Sequence, residues 1–210
     1  LFNYRFSNDS SIGYHSIKNL IITALLEMHG DFAHSLPILC DLLDVKGKIL
    51  PLTEDNVDLI GVTKEGYEII GEAEITESKR EIVNLKYNKK VTVTPKVIEE
   101  IKKADLIIFS SGSLLTSILP HIIVPEIQVA IRESKAKKMY ICNMLTQPGE
   151  TDNFKVSDHI KVLEQHLGEN ILDVVIANNS VLPKNMSMLA KSEGKDPVEN
   201  LKEDLFSANV

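Results

Sequence analysis

Apolar positions fall into two textures along this chain. Near the beginning they recur three and four residues apart, and further on they gather into short unbroken runs that end abruptly in small and polar residues. Ile17, Leu20, Ile21, Ala24, Leu25 and Met28 have helical spacing, with Ser16 placed to cap the start and Gly30 to close the end. Phe32, Leu36, Leu39, Leu42 and Leu43 mark a second amphipathic helix. A helix interior would normally exclude Pro37, so the regular part is expected to begin near Ser35 with Pro37 in the first turn. Ahead of both, Leu1 to Phe6 alternates as a strand would, and Ser7 to Gly13 reads as a polar loop.

From Lys48 to about Lys86 the texture changes to β-branched residues and turns. Val57 to Val62 and Tyr67 to Ile70 flank Thr63 to Gly66 as the arms of a hairpin, and Ile82 to Leu85 adds a strand. This segment is expected to be a small antiparallel insertion serving as a cover or contact surface. Thr94 and Pro95 then start a short helix through Lys103.

The remaining order is strand (Leu106 to Phe109), helix (Pro125 to Ser134), strand (Met139 to Cys142), helix (Ser157 to Leu167) and strand (Leu172 to Ala177). Ser157 is the expected cap of the last helix and Gly168 its stop. The strand runs are almost uncharged, the pattern of strands covered on both faces by helices. Two consecutive crossovers of this kind make a right-handed parallel sheet, so the fold class is α/β. Beyond Asn179 the chain is polar, with a short terminal helix expected from Pro197 to Phe206.

Open parallel sheets bind ligands beyond the carboxyl ends of their strands. The loops Ser110 to Ser117 and Asn143 to Phe154 are therefore expected to lie side by side along one crevice. At 210 residues the chain suits one domain with an insertion and can bury a sizeable core. A net charge of −7 and a pI near 5.4 argue against nucleic acid and anionic membrane surfaces as partners. Any bound phosphate must then be met locally, by backbone amides and a few cations. Cys40 and Cys142 both sit in apolar runs, as buried thiols of a reduced cytoplasmic protein would. No apolar run approaches the ~20 residues of a membrane-spanning helix, and no secretory leader is apparent. Leu1 is not an initiating residue, so the chain is expected to begin partway through a longer one, with an element before it either cleaved off, left out or unobserved.

Candidate chemistry concentrates in the two loops. Ser110-Ser111-Gly112-Ser113 stands between a buried strand and a helix expected near Leu114. Backbone amides there, with the hydroxyls of Ser113, Thr116 and Ser117, could approach an anion, or the stretch could be a tight turn with a capping serine. It has neither Walker nor G-x-G-x-x-G spacing. The second loop carries Asn143, Thr146, Gln147, Glu150, Thr151 and Asp152. Asn143 and Gln147 could read a base or sugar edge, and Glu150 and Asp152 could take ribose hydroxyls or a divalent cation. The competing reading is a turn built on Pro148-Gly149 that bonds to itself. Phe154 could stack on a ring or plug the loop. Asn178 could face the same crevice or merely stop the third strand. His15 and Asn19, four apart at the first helix's amino end, are either surface residues or anion contacts. His121, His159 and His166 form no metal spacing with a cysteine, so no metal site is expected.

The stretches GSLLTSILPHIIVPEIQVAI and ICNMLTQPGETDNFKVSDHIKVLEQHLG resemble the gluconeogenesis factor (YvcK-like) family, within the superfamily of 2-phospho-L-lactate transferase. HSIKNLIITALLEMHGDF is similar to the helix that family writes as G-H-S-x-G-N-L, and T-Q-P-G-E-T-D, Thr146 to Asp152, is the most specific string. The resemblance implies a Rossmann-like three-layer fold and a cytosolic bacterial protein that binds UDP-N-acetylglucosamine. It further implies a role in cell shape and cell-wall precursor balance on gluconeogenic carbon sources. The superfamily's enzymes instead transfer a phospholactyl group to a deazaflavin, with nucleotide and divalent metal involved.

Departures from the family pattern fall on the site. The family's opening strand and glycine-rich loop have no counterpart before Leu1. Tyr14 and Lys18 stand where glycines are usual, Ser110 and Ser111 replace Gly-Pro, Leu115 replaces Tyr, His121 replaces Asn, and Asn153 and Phe154 stand for Gly-Tyr. The leading expectation is a regulatory protein that senses a UDP-sugar between Ser111 to Ser117, Asn143 to Phe154 and Asn178. Phosphates would lie at the amides near Gly112 and Ser113, and base or sugar on the second loop. The alternatives are a transferase in which Asp152 holds Mg2+, and a scaffold acting through the insertion or tail. No catalytic residue is assigned, no resident cofactor is expected, and homo-oligomerisation is left open.

Overall fold

The computed structural model describes residues 2, 4–7, 12–13 and 15–199, and the chain divides into two compact units, Leu1–Glu54 and Asp55–Val210. In the first, α1 (Ile17–His29) starts at Ser16, whose Oγ accepts the Asn19 amide at 3.3 Å. It stops at Gly30, where φ of +86° turns the cap N–H back onto the Leu26 carbonyl. The second helix, α2 (Phe32–Leu42), begins earlier than expected and contains Pro37. Asp31 is the reason: its carboxylate accepts the His34 amide at 2.8 Å, so capping wins over the proline and fixes the start at Phe32. The strand expected from Leu1 to Phe6 falls partly outside the described residues, and Arg5 makes an isolated bridge to Ser16.

The second unit opens with an antiparallel sheet of order β2-β1-β3, formed by β1 (Leu59–Thr63), β2 (Glu68–Ile70) and β3 (Ile82–Tyr87). Gly66, at φ +88°, closes the expected hairpin by donating to the Thr63 carbonyl. A short helix not foreseen from sequence, α3 (Glu72–Ser78), joins β2 to β3. Its single deeply buried residue, Ile75, sits where any Cβ on Gly61 would lie 3.1 Å away, so glycine on β1 lets the helix pack close.

Then follow α4 (Pro95–Lys103), β4 (Leu106–Phe109), a π-helical turn (Leu114–Ile118), α5 (Leu119–Ile122), α6 (Pro125–Glu133), β5 (Lys137–Ile141), α7 (Val156–Leu167), β6 (Val174–Ile176) and α8 (Lys184–Ser192). The strands β4, β5 and β6 form a parallel sheet in that order, with Phe109 opposite Tyr140 and Tyr140 opposite Val175. These three residues are buried together with Lys138 on one face. Because the strands add in sequence without reversing, right-handed crossovers put α6 and α7 on the same face, where they pack on each other. The other face keeps Leu106, Ile108 and Ile176 exposed by 44, 51 and 48 %. The expectation of strands covered on both faces therefore holds for one face only.

Caps differ from the sequence reading in two places. Thr94 precedes α4 without a side-chain bond, Pro95 alone setting its first turn. In α7 the cap is Lys155, not Ser157, because Asp158 reaches back to the Lys155 amide at 3.0 Å. The expected tail helix from Pro197 lies largely outside the described residues, while α8 occupies a stretch read as polar tail. No single described helix is long and apolar enough to cross a membrane.

The two sheets are tied together by the loop after β5. Gly149, at φ +83°, presses onto the Lys79–Arg80 backbone, and its carbonyl accepts the Ile82 amide at 3.2 Å. A Cβ there would stand 2.5 Å from the Lys79 carbonyl carbon, and backbone cannot move aside as a side-chain tip can. Gly149→Ala is expected to destabilise the protein by about 2–4 kcal/mol, measured by urea denaturation. An unchanged midpoint would show that this approach does not hold the sheets together.

Candidate functional site

Where β4 ends, Phe109 enters the buried face and the chain turns through Ser110 to Gly112 into the π-helical turn. Ser113 caps that turn. Its Oγ accepts from the Thr116 amide at 3.0 Å and from the Thr116 hydroxyl at 2.8 Å, and donates to the Glu150 carboxylate. One proton and two lone pairs are thereby used, so the Ser113 hydroxyl is saturated as a cap. Thr116 is buried, and Ser117 is exposed, its carbonyl taken by the His121 ring at 3.0 Å.

The loop after β5 bonds largely to itself. Gln147 N–H donates to Thr151 Oγ1 at 2.9 Å, the Gln147 carbonyl accepts from the amides of Glu150 and Thr151, and Asp152 accepts from Gly149 N–H at 2.6 Å. Thr146 and Thr151 are 2 % exposed. Thr146 exchanges bonds with a strap at residues 195–199: its amide donates to the Asp196 carbonyl, and its Oγ1 accepts the Asp196 amide at 2.9 Å. The strap continues with Val198 N–H donating to the Met144 carbonyl and bridges at Pro197 and Glu199.

Glu150 lies under this loop, 6 % exposed, with Ser113 on one oxygen and Thr76 Oγ1 at 3.4 Å from the other. Burial pushes its carboxyl above the ordinary glutamate range, while the hydrogen bonds from Ser113 and Thr76 pull the other way.

The two loops do meet. Asn143 Nδ2 donates to the Gly112 carbonyl at 3.1 Å, across the gap between β4 and β5. Beside that bond opens a cavity of about 440 Å³ walled by Ser111, Ser113, Asn143, Thr146, Gln147 and Lys195. Asn143 Oδ1 and Gln147 Oε1 are buried without a hydrogen-bond partner among the described residues. Flipping the Asn143 amide would set its oxygen against the Gly112 carbonyl, so the chemistry fixes Oδ1 as the unpaired atom.

The expected residues that line a hollow divide between two, while Gly112, Thr116, Ser117 and Thr151 line neither. Glu150, Asp152 and Phe154 line a second cavity, of about 460 Å³, bordered by β3 and α7. Phe154 meets His159 edge to face at 5.4 Å, which engages its ring inside the protein. Asn178 forms a local turn with Ser180 and lines neither cavity. His15 and Asn19 are exposed at the start of α1 in the first unit. Lys195 was not foreseen, because Gly194-Lys195-Asp196-Pro197 reads as a breaker-rich tail and its return to Thr146 spans fifty residues.

Behind the first cavity, Tyr140 and His159 are fully buried and stacked at 6.3 Å. His159 Nδ1 donates to the Lys155 carbonyl at 3.0 Å, leaving Nε2 as an unpaired acceptor. Burial holds the imidazole below the usual histidine range, against the opposing pull of that carbonyl and of Asp158. The Cys142 thiol, also buried, is pushed up to about 11 by burial. For a divalent cation the fit is poor. Glu150 and Asp152 are engaged by their neighbours, and among the described residues no three His, Cys, Asp or Glu side chains gather to hold a metal.

Two outcomes follow for stability. A histidine with a depressed folded pKa binds its proton more readily in the unfolded chain, so stability rises with pH. The His159 contribution is present above the ordinary value of 6.5 and is lost as pH falls from there towards the lower folded value. His159→Gln should reduce the loss of stability between pH 7.5 and pH 5, read from urea midpoints, whereas an identical slope would deny the buried neutral imidazole. Thr146→Val keeps the shape but leaves the Asp196 amide unpaired, and should cost about 1–2 kcal/mol in the same assay.

Comparison with known proteins agrees with this architecture. The family model for 2-phospho-L-lactate transferase CofD matches residues 1–209. A putative gluconeogenesis factor of Thermotoga maritima is 42 % identical over 199 residues, covering 95 % of this chain and 63 % of the relative. The gluconeogenesis factor of Bacillus subtilis is 36 % identical over 200 residues, again 95 % and 63 %. A crystal structure of a Bacillus halodurans protein described as a member of the UPF0052 family superposes with a TM-score of 0.90 at 31 % identity, covering all of this chain and 69 % of that one. The chain thus spans about three fifths of the length of these curated relatives. With the Rossmann-like sheet, the T-Q-P-G-E-T-D loop and these relatives in agreement, the chain belongs to the CofD family, among the proteins called gluconeogenesis factors.

Proposed function

We propose that this chain is the ligand-sensing part of a cytoplasmic gluconeogenesis factor, and that it binds UDP-N-acetylglucosamine or a related nucleotide sugar beyond the carboxyl ends of β4 and β5. One observation carries the reading: Asn143 Oδ1 and Gln147 Oε1 are buried beside a cavity of about 440 Å³ with no donor among the described residues to satisfy them. Buried acceptors left unpaired each cost on the order of 1–3 kcal/mol, and a ligand with N–H or O–H groups removes that cost. A base edge or an N-acetylated sugar supplies such groups. The volume lies within the range of small-molecule sites. Binding then serves regulation of cell shape and of cell-wall precursor balance on gluconeogenic carbon sources.

A transferase reading draws support from the description of the matching family model, in which a phospholactyl group would pass from a nucleotide-activated donor. Calorimetric titration of the 210-residue chain with UDP-N-acetylglucosamine, with and without magnesium, separates the two. Saturable, metal-independent binding without turnover is expected. Consumption of a phospholactyl donor would favour the transferase, and absence of any heat at millimolar ligand would remove the sensor reading.

A further inference from the structure

The cavity between the two loops is chemically lopsided, and the asymmetry says which end of a ligand goes where. On the β5 side its lining includes Asn143 and Gln147, whose carboxamide oxygens are buried acceptors with no donor among the described residues. Ser113 can give nothing more, since its proton goes to Glu150 and its lone pairs to Thr116. Thr146 Oγ1 already accepts the Asp196 amide. Among the described residues the cationic side chain on the lining is Lys195, held on the strap by the Thr146–Asp196 bonds. It pairs with the half-exposed Glu193 at 2.6 Å, a contact that water and salt screen readily.

Phosphate oxygens are pure acceptors, so placing them against two buried carbonyl-type oxygens sets like partial charges together. A hydroxyl, an imide or an amide N–H meets the same atoms as a donor. From the meeting of Asn143, Gln147 and Lys195 around one cavity, we propose that the cavity sorts its ligand by polarity. Asn143 and Gln147 take the neutral, donor-bearing end, and Lys195 takes the anionic end. Lys195 thus becomes a ligand-binding residue, and the diphosphate moves from the Gly112–Ser113 turn to the strap. The inference rests on the nucleotide-sugar reading of this cavity and adds orientation and a specificity-determining residue to it.

The test compares charged and neutral ligands on one set of folded variants. UDP-N-acetylglucosamine, uridine and N-acetylglucosamine are titrated by calorimetry, or by ligand-detected NMR where binding is weak, against the wild-type chain, Lys195→Gln and Gln147→Leu. Lys195→Gln should weaken the charged ligand about tenfold, chiefly at low salt, and leave whichever neutral ligand binds within twofold. Gln147→Leu should weaken that neutral ligand and the charged one alike, by about tenfold. Thermal melts within a few degrees of wild type establish that each variant is folded. Wild-type-like binding of UDP-N-acetylglucosamine by both variants overturns the sorting proposal while leaving nucleotide-sugar binding intact. A Lys195→Gln variant that weakens neutral and charged ligands equally overturns it as well. Failure of the wild-type chain to bind any of the three removes the parent reading, and this proposal with it.

Discussion

Backbone pressed on backbone at Gly149 is the constraint on which the second unit depends. The antiparallel sheet and the parallel sheet are separate ladders, and each alone is a three-stranded sheet of short strands. They are joined where the loop after β5 rests on Lys79 and Arg80, a contact that only a residue without Cβ can make at positive φ. From that fixed point the same loop reaches three ways: Gly149 to Ile82, Glu150 to Ser113 and Thr76, and Thr146 to Asp196. The family's most specific string is therefore a junction first. The polar atoms it leaves unpaired are what remains after the structural bonds are counted.

That accounting explains an arrangement that would be wasteful in a purely structural loop. Glu150 is buried although its carboxyl must work against desolvation, and His159 is buried neutral with one nitrogen unpaired. Buried polar groups of this sort narrow the choice of conformations, because each satisfied bond has a definite direction. With Asn143 held to Gly112 and Ser113 to Glu150, the gap between β4 and β5 is set by directional contacts instead of by apolar packing.

Much of this was legible before any coordinates. Short uncharged runs bounded by breakers located β4 and β5, Thr63 to Gly66 located the hairpin, and the parallel order followed from two helical crossovers. The meeting of the two loops followed from strand polarity alone. What escaped had physical reasons. The cap at Asp31 outweighed Pro37, and that contest is decided by a single hydrogen bond. Ile75 is the one buried residue of α3, too little for a period to show. Single-face covering of the parallel sheet depends on strand order, which composition does not carry. Within the site, spacing could nominate Asn143 and Gln147 but could not say that Ser113, Thr116 and Thr151 spend their hydroxyls on the fold. Lys195 was invisible because nothing local marks a residue whose place is set by a contact fifty positions upstream.

The strap has a consequence for when the hollow comes into being. One wall carries Lys195, placed by residues 196 to 199, which return to Met144, Leu145, Thr146 and Lys155 after β6 and α8 have been laid down. Contacts so distant in sequence form late, because closing the intervening loop costs chain entropy before any bond rewards it. A nascent polypeptide in which residues 195 to 199 have not yet left the ribosome therefore lacks one wall of this hollow, whichever strands have already paired.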